Sequence, residues 1–136
     1  ALDAALTAIT ASPQTCLVCG VDAGTVELAS ARRAAGHAPV LILLTDGRSS
    51  PQPASAAVAR AAEAKAAGIR IYTIGLGADL DDAALAAMAS RPEYYHVNAD
   101  AEQLAGIYRA IAVTIEALSP GVLSRIDVVE PPYMPP

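Results

Sequence analysis

Thr45-Asp46-Gly47 follows directly on the apolar run Val40-Leu-Ile-Leu-Leu44. A carboxylate in that position suits a ligand site, because open α/β sheets bind their ligands outside the carboxyl ends of their strands. The run itself reads as a strand buried on both faces, as in a parallel sheet. Asp-Gly is also a common turn pair, so Asp46 has a purely structural reading beside the functional one. A second group of interest is Thr15-Cys16-Leu-Val-Cys19. Two thiols at this spacing suit redox exchange or zinc. Zinc needs further ligands, however, and His37 and His96 stand isolated in the sequence. A local disulfide, or two packed thiols at a helix start, is the simpler reading. Thr15 offers a hydroxyl, either as a helix N-cap or as a ligand.

Other chemistry finds less support. Gly75-Leu-Gly-Ala-Asp79 lacks the third glycine of a dinucleotide loop and reads as a strand-ending turn. His96 has no Ser or Cys partner in a motif. There is no phosphate loop, nucleophile elbow or pair of catalytic carboxylates. The net charge of -5 argues against nucleic acid, whose phosphates require clustered Lys and Arg. No apolar run approaches the length of a membrane span, so direct membrane insertion is not expected. With 54% apolar residues and neither Phe nor Trp, the core must be built from Ala, Leu, Ile and Val.

The elements that position these residues follow from periodicity. Leu2, Leu6 and Ile9 share a helical face, and Ser12-Pro13 breaks that helix. Leu17, Val21, Gly24 and Leu28 predict a second helix from about Leu17 to Ala35, with Arg32 and Arg33 in its last turn and Gly36 as its stop. The strand Val40–Leu44 follows. Pro53 and Gly68 bracket an Ala-rich helix with Val58, Ala61 and Ala62 toward the core. Ile69–Ile74 is the next strand. Asp81 is placed to cap a helix whose buried face is Leu85, Met88 and Ala89, with Leu80 and Leu85 as a hydrophobic staple. Tyr94–Val97 reads as a third strand. Asp100 and Gln103 form a capping box for a long helix with the stripe Leu104, Ile107, Tyr108, Ile111, Ile115 and Leu118. Ile126–Val129 reads as one more strand before a Pro-rich end. Alternation of this kind implies a parallel, doubly wound sheet with helices on both faces.

In this order and spacing the chain resembles a von Willebrand factor type A domain. The supporting segments are Val40-Leu-Ile-Leu-Leu-Thr-Asp-Gly47, Ala66-Ala-Gly-Ile-Arg-Ile-Tyr-Thr-Ile-Gly-Leu-Gly77, Leu85-Ala-Ala-Met-Ala89, Tyr94-Tyr-His96 and the closing amphipathic helix. Thr15-Cys-Leu-Val-Cys-Gly-Val21 looks like the family's helix entry. The resemblance implies a three-layer Rossmann-like sheet and a metal-ion-dependent adhesion site for Mg²⁺ or another divalent cation. Thr15 and Asp46 match two of its ligand positions. The family's Asp-x-Ser-x-Ser motif does not occur in this sequence, and the serines of Asp46-Gly-Arg-Ser-Ser50 have the wrong spacing.

Residues 1–118 are accordingly expected to form a type A-like domain lacking its first strand, and residues 119–136 a linker or the start of a β-rich segment. Both ends look cut from a longer polypeptide. The implied function is non-enzymatic binding of a protein that offers an Asp or Glu carboxylate to the cation. A metal-independent scaffold of the same fold is the alternative, followed by a nucleotide-binding or hydrolytic α/β domain. Self-association through an exposed sheet edge is a further expectation. The family's habit in modular proteins suggests an extracellular or cell-surface setting.

Overall fold

The segment Arg70–Gly75 is β-branched, aromatic and almost uninterruptedly apolar, a composition that fits a pleated strand with neighbours on both faces. The computed structural model describes residues 2–8, 10, 13–33, 36–97 and 100–118. The expected strand at Ile126–Val129, the Pro-rich end, Ile9 and the side chains of Leu2, Leu6 and Leu118 lie outside what is described. In the structure Arg70–Gly75 is the middle strand, β2, of a sheet ordered β1-β2-β3. Its neighbours are β1 (Val40–Thr45) and β3 (Tyr95–His96), both parallel to it. The helices are α1 (Leu2–Thr7), α2 (Leu17–Ala29), α3 (Ala54–Ala66), α4 (Asp82–Met88) and α5 (Ala101–Leu118).

Strand periodicity divides the core in two. Leu41, Leu43 and Ile71 face Leu17 and Val21 of α2, Ala57, Ala61 and Ala64 of α3, and Leu85 and Met88 of α4. Val40, Ile42, Tyr72 and Ile74 face the other way, against Leu104, Ile107, Ile111 and Ile115 of α5. Helices therefore cover both faces, as the alternation implied. Ile71, Tyr72, Thr73 and Ile74 are all essentially inaccessible. Each large side chain so buried stabilises the fold by about 1.5–3 kcal/mol. Thr73 satisfies its buried hydroxyl by donating to the Leu85 carbonyl at 2.8 Å, which ties β2 to α4. The short β3 does not reach Ile71. Ser90 takes that place, donating its N–H to the Ile71 carbonyl and accepting the Ile71 N–H on Oγ, each at 2.9 Å.

Several boundaries differ from the sequence reading. The strand buried on both faces is β2, not β1. Among the described residues β1 pairs with β2 alone, and Leu44 is 41% exposed. α2 stops at Ala29, because Ser30 is extended (ψ 163°) and its Oγ accepts the Arg32 N–H. Arg32 and Arg33 therefore follow the helix, with Arg32 paired to Glu27. Ala64, not Ala62, joins Ala57 and Ala61 in the core. Pro53 is the N-cap of α3 rather than its first residue. Gly68 takes a positive φ of 88° just beyond α3, a conformation that suits glycine. Tyr94 belongs to a 3₁₀ turn, Pro92–Tyr94, set by Pro92 at its start. Tyr108 lies at the edge of the α5 stripe, 40% exposed. The capping box is present: Asp100 Oδ1 accepts the Gln103 N–H at 2.8 Å.

Two glycines mark close approaches of different severity. A Cβ on Gly75 would fall 2.5 Å from Leu80 Cδ1 and 3.3 Å from Leu85 Cδ1, both in buried leucines. A Cβ on Gly24 would fall 2.4 Å from Leu41 Cδ1, but that side chain is half-buried and able to turn away. Gly75→Ala is expected to cost about 1–3 kcal/mol in urea unfolding, as overpacking does. Gly24→Ala should be near neutral, since a helix-interior Gly→Ala change gains about 1 kcal/mol in propensity.

Two tyrosines make alkaline stability a second test. Burial first, then the Tyr94 hydroxyl, pushes Tyr72 up to about 12. Burial first, then the hydrogen bond to Asp82 at 2.7 Å, pushes Tyr95 up to about 12. An unfolded phenol ionises near pH 10. A folded value above the unfolded one adds stability that is complete below about pH 10 and is lost as pH rises toward 12. Tyrosinate absorbance and unfolding midpoints should follow this window, and Tyr95→Phe should narrow the loss.

Candidate metal site

The two residues read as cation ligands arrive from separate elements at the same pole of the sheet. Asp46 leaves the carboxyl end of β1, where Thr45 turns the chain. The buried Thr45 Oγ1 donates to the Gly47 carbonyl at 3.1 Å and accepts the Gly47 N–H at 3.3 Å. Thr15 precedes α2 and forms an isolated antiparallel bridge with Ser50. The Ser50 N–H donates to the Thr15 carbonyl at 2.8 Å. The Thr15 hydroxyl then lies so near Gly47 that a Cβ there would stand 3.3 Å from it. A small residue after Asp46 is what lets the Thr15 oxygen close on this loop.

Cys16 and Cys19 are joined in a disulfide with Cα atoms 5.2 Å apart. Cys16 is the N-cap of α2, and its Sγ accepts the Cys19 N–H at 3.3 Å. Thr15 is therefore not the cap, and its hydroxyl is not committed to that role. The disulfide closes the first turn of the helix that Thr15 precedes.

The Asp46 loop is braced from the side. Arg48 Nε binds Asp79 at 2.7 Å and Nη1 binds Asp81 at 3.3 Å. Asp81 Oδ2 also accepts the Ser49 N–H at 2.7 Å. This is why Asp81 stands at the N-cap of α4 without capping it: its carboxylate is used across the loop. Exposed pairs of this kind contribute little energy, so their effect is positional. The bond to Asp79, chiefly, holds Arg48 above its ordinary pKa. With Arg48 so engaged, the exposed Asp46 carboxylate makes no hydrogen bond or ion pair among the described residues.

The donors here are a hydroxyl and a carboxylate, the hard oxygens that Mg²⁺ takes. Mg²⁺ wants near-octahedral coordination and keeps several waters, so two protein oxygens fit its chemistry but hold it weakly alone. Among the described residues no group of three or more His, Cys, Asp or Glu side chains could hold a metal ion. His37 is exposed, and His96 lies in β3 beside a cavity rather than in this loop cluster. Gly47 and the Arg48–Asp81 brace escaped the sequence reading. Gly47 reads as half of an ordinary turn pair, and Asp81 carries a strong local cap pattern that its distant partner overrides.

A family model, the von Willebrand factor type A domain, matches residues 3–110. A search of curated protein sequences found no match. Among solved structures, proximal thread matrix protein 1 from the mussel byssus is similar in fold. Its form with a zinc-occupied metal-ion-dependent adhesion motif gives a TM-score of 0.65 at 22% identity. Two further crystal structures of that protein give 0.68 and 0.61 at the same identity. Each match covers 84% of this chain and 28% of that one, so this chain spans well under half the length of the neighbour. The match across 3–110, with the parallel sheet and both helical layers in place, makes this chain a member of the von Willebrand factor type A family.

Proposed function

We propose that this chain is a non-enzymatic protein-binding module that engages an acidic side chain of its partner through a divalent cation, Mg²⁺ foremost, at Thr15 and Asp46. The observation that carries the reading is the approach of the Thr15 hydroxyl to the Gly47 backbone, beside an Asp46 carboxylate that makes no hydrogen bond or ion pair among the described residues. The cation supplies an electron-poor bridge to a carboxylate. Asp46 contributes its charge, and Thr15 contributes a neutral oxygen that leaves the ion short of negative charge. Further oxygens must come from water or from groups outside this pair. Mussel thread matrix protein 1, similar in fold, has a zinc-occupied motif of this class, which supports a divalent cation. Its source in the byssus and the Cys16–Cys19 disulfide favour an oxidising, extracellular setting. Among the described residues no helix is long and apolar enough to cross a membrane.

Calorimetric titration with Mg²⁺ is the direct test. Weak binding is expected, lost in Asp46→Ala and lowered in Thr15→Val, with unfolding midpoints unchanged because both side chains are at least partly exposed. Equal heats from wild type and Asp46→Ala would remove the cation from the reading. A metal-independent scaffold is favoured instead by the presence of only two matched ligand positions. Capture of a partner that survives chelation identifies that case.

The disulfide yields a separate expectation. Reduction by a dithiol should free the first turn of α2, lowering the melting temperature and weakening Mg²⁺ binding together. A Cys16→Ser/Cys19→Ser variant that keeps wild-type affinity would show that Thr15 is placed by the Ser50 bridge alone.

A further inference from the structure

Cys16 and Cys19 are the two cysteines of the sequence, and they are bonded to each other. Their bridge spans only the entry of α2, so it constrains the unfolded chain far less than a long-range bridge would. The turn has other anchors. Leu17 and Val21 are buried in the core, and the Gly20 N–H donates to the Cys16 carbonyl at 3.2 Å. The fold around the bridge therefore does not depend on the bridge alone.

The two sulfurs stand in different surroundings. Cys19 is exposed in the first turn, whereas Cys16 is half-buried at the N-cap. Cys16 Sγ also accepts the Cys19 N–H at 3.3 Å. In thiol–disulfide exchange a thiolate attacks one sulfur and the other leaves as a thiolate. The reaction is favoured where the attacked sulfur is open and the leaving sulfur is stabilised. Here the open sulfur is that of Cys19. The sulfur whose departing charge meets a backbone N–H at a helix N-terminus is that of Cys16. Attack in the other sense would have to reach the half-buried sulfur.

We propose that the Cys16–Cys19 bridge is an exchangeable disulfide that captures an external thiol at Cys19. The incoming thiol gives its proton to solvent, and its thiolate attacks Cys19 Sγ. A new S–S bond forms there as the Cys16–Cys19 bond breaks. The electron pair of the broken bond goes to Cys16, which leaves as a thiolate held by the Cys19 N–H. The incoming thiol is oxidised as Cys16 is reduced, so no further oxidant or reductant is consumed. Attack of Cys16 back on Cys19 restores the bridge and expels the thiol. The product is a reversible covalent tether beside Thr15, and its chemistry does not rest on the cation reading. The thiol belongs either to a small molecule or to a cysteine of a partner protein.

The test mixes the oxidised protein with glutathione, quenches with acid, blocks free thiols with N-ethylmaleimide and locates both groups by tandem mass spectrometry. In the folded protein glutathione should fall on Cys19 and maleimide on Cys16. This order should exceed the reverse by about tenfold or more, as expected for a hydrogen bond to a charged leaving group. In strong urea the preference should vanish, because both sulfurs are then equally open. Diluting the thiol away from the folded adduct should restore the bridge and release the glutathione. A small folded protein with one surface cysteine, used in place of glutathione, separates the two sources. Adducts with both probes mark a protein-capture site, and an adduct with glutathione alone marks a small-thiol site. Three results would overturn the proposal: attack on Cys16 as often as on Cys19 in the folded protein, no folded adduct at glutathione levels that react with the urea-unfolded chain, or an adduct that persists after dilution.

Discussion

The double burial of β2 is the constraint on which the other elements depend. Ile71 and Thr73 point into one helical layer, and Tyr72 and Ile74 into the other. A strand with no face left for water must be covered twice, and a parallel neighbour must be reached by a crossover. Helices α3 and α4 are those crossovers. Their apolar stripes are built from alanine and a few leucines, and at Gly75 the sheet comes close enough to Leu85 of α4 that a Cβ would stand 3.3 Å from it. All strands then end at one pole, and the loops gathered there carry Thr15, Asp46 and the Arg48 brace.

The two poles differ in chemistry for the same reason. At the carboxyl pole short loops expose hard oxygens, and Arg48 is spent on Asp79 and Asp81. At the amino pole the first residue of β2 is Arg70, followed on its face by Tyr72, whose ring packs with Tyr94 and with Ile111 of α5.

Much of this was legible in the sequence, and the misses have physical causes. The strands and α3–α5 follow from hydrophobic period, and the capping box from Asp100 and Gln103. Which strand lies in the middle does not follow, because Val40–Leu44 is the more apolar run, Ile69–Ile74 carries Arg70 and Thr73, and pairing is a tertiary matter. α2 ended early because Ser30 and Glu27 compete for Arg32 and the chain, a local contest that propensity does not rank. At the candidate site, Thr15 and Asp46 were legible through their resemblance to a ligand pattern. Gly47 as the space for the Thr15 oxygen was not, since the two residues meet only through the Thr15–Ser50 bridge.

The central claim is that Thr15 and Asp46, brought together across the carboxyl pole, are the cation-facing residues of this chain. Paramagnetic broadening by Mn²⁺ in the NMR spectrum of the protein tests it most directly, because the effect falls off steeply with distance from the ion. The account predicts that at substoichiometric Mn²⁺ the signals of Thr15, Asp46 and Gly47 broaden first, that excess Mg²⁺ restores them, and that Asp46→Ala abolishes the pattern. Broadening centred on Asp79, Asp81 and Asp82, or spread evenly over the exposed carboxylates, would contradict it.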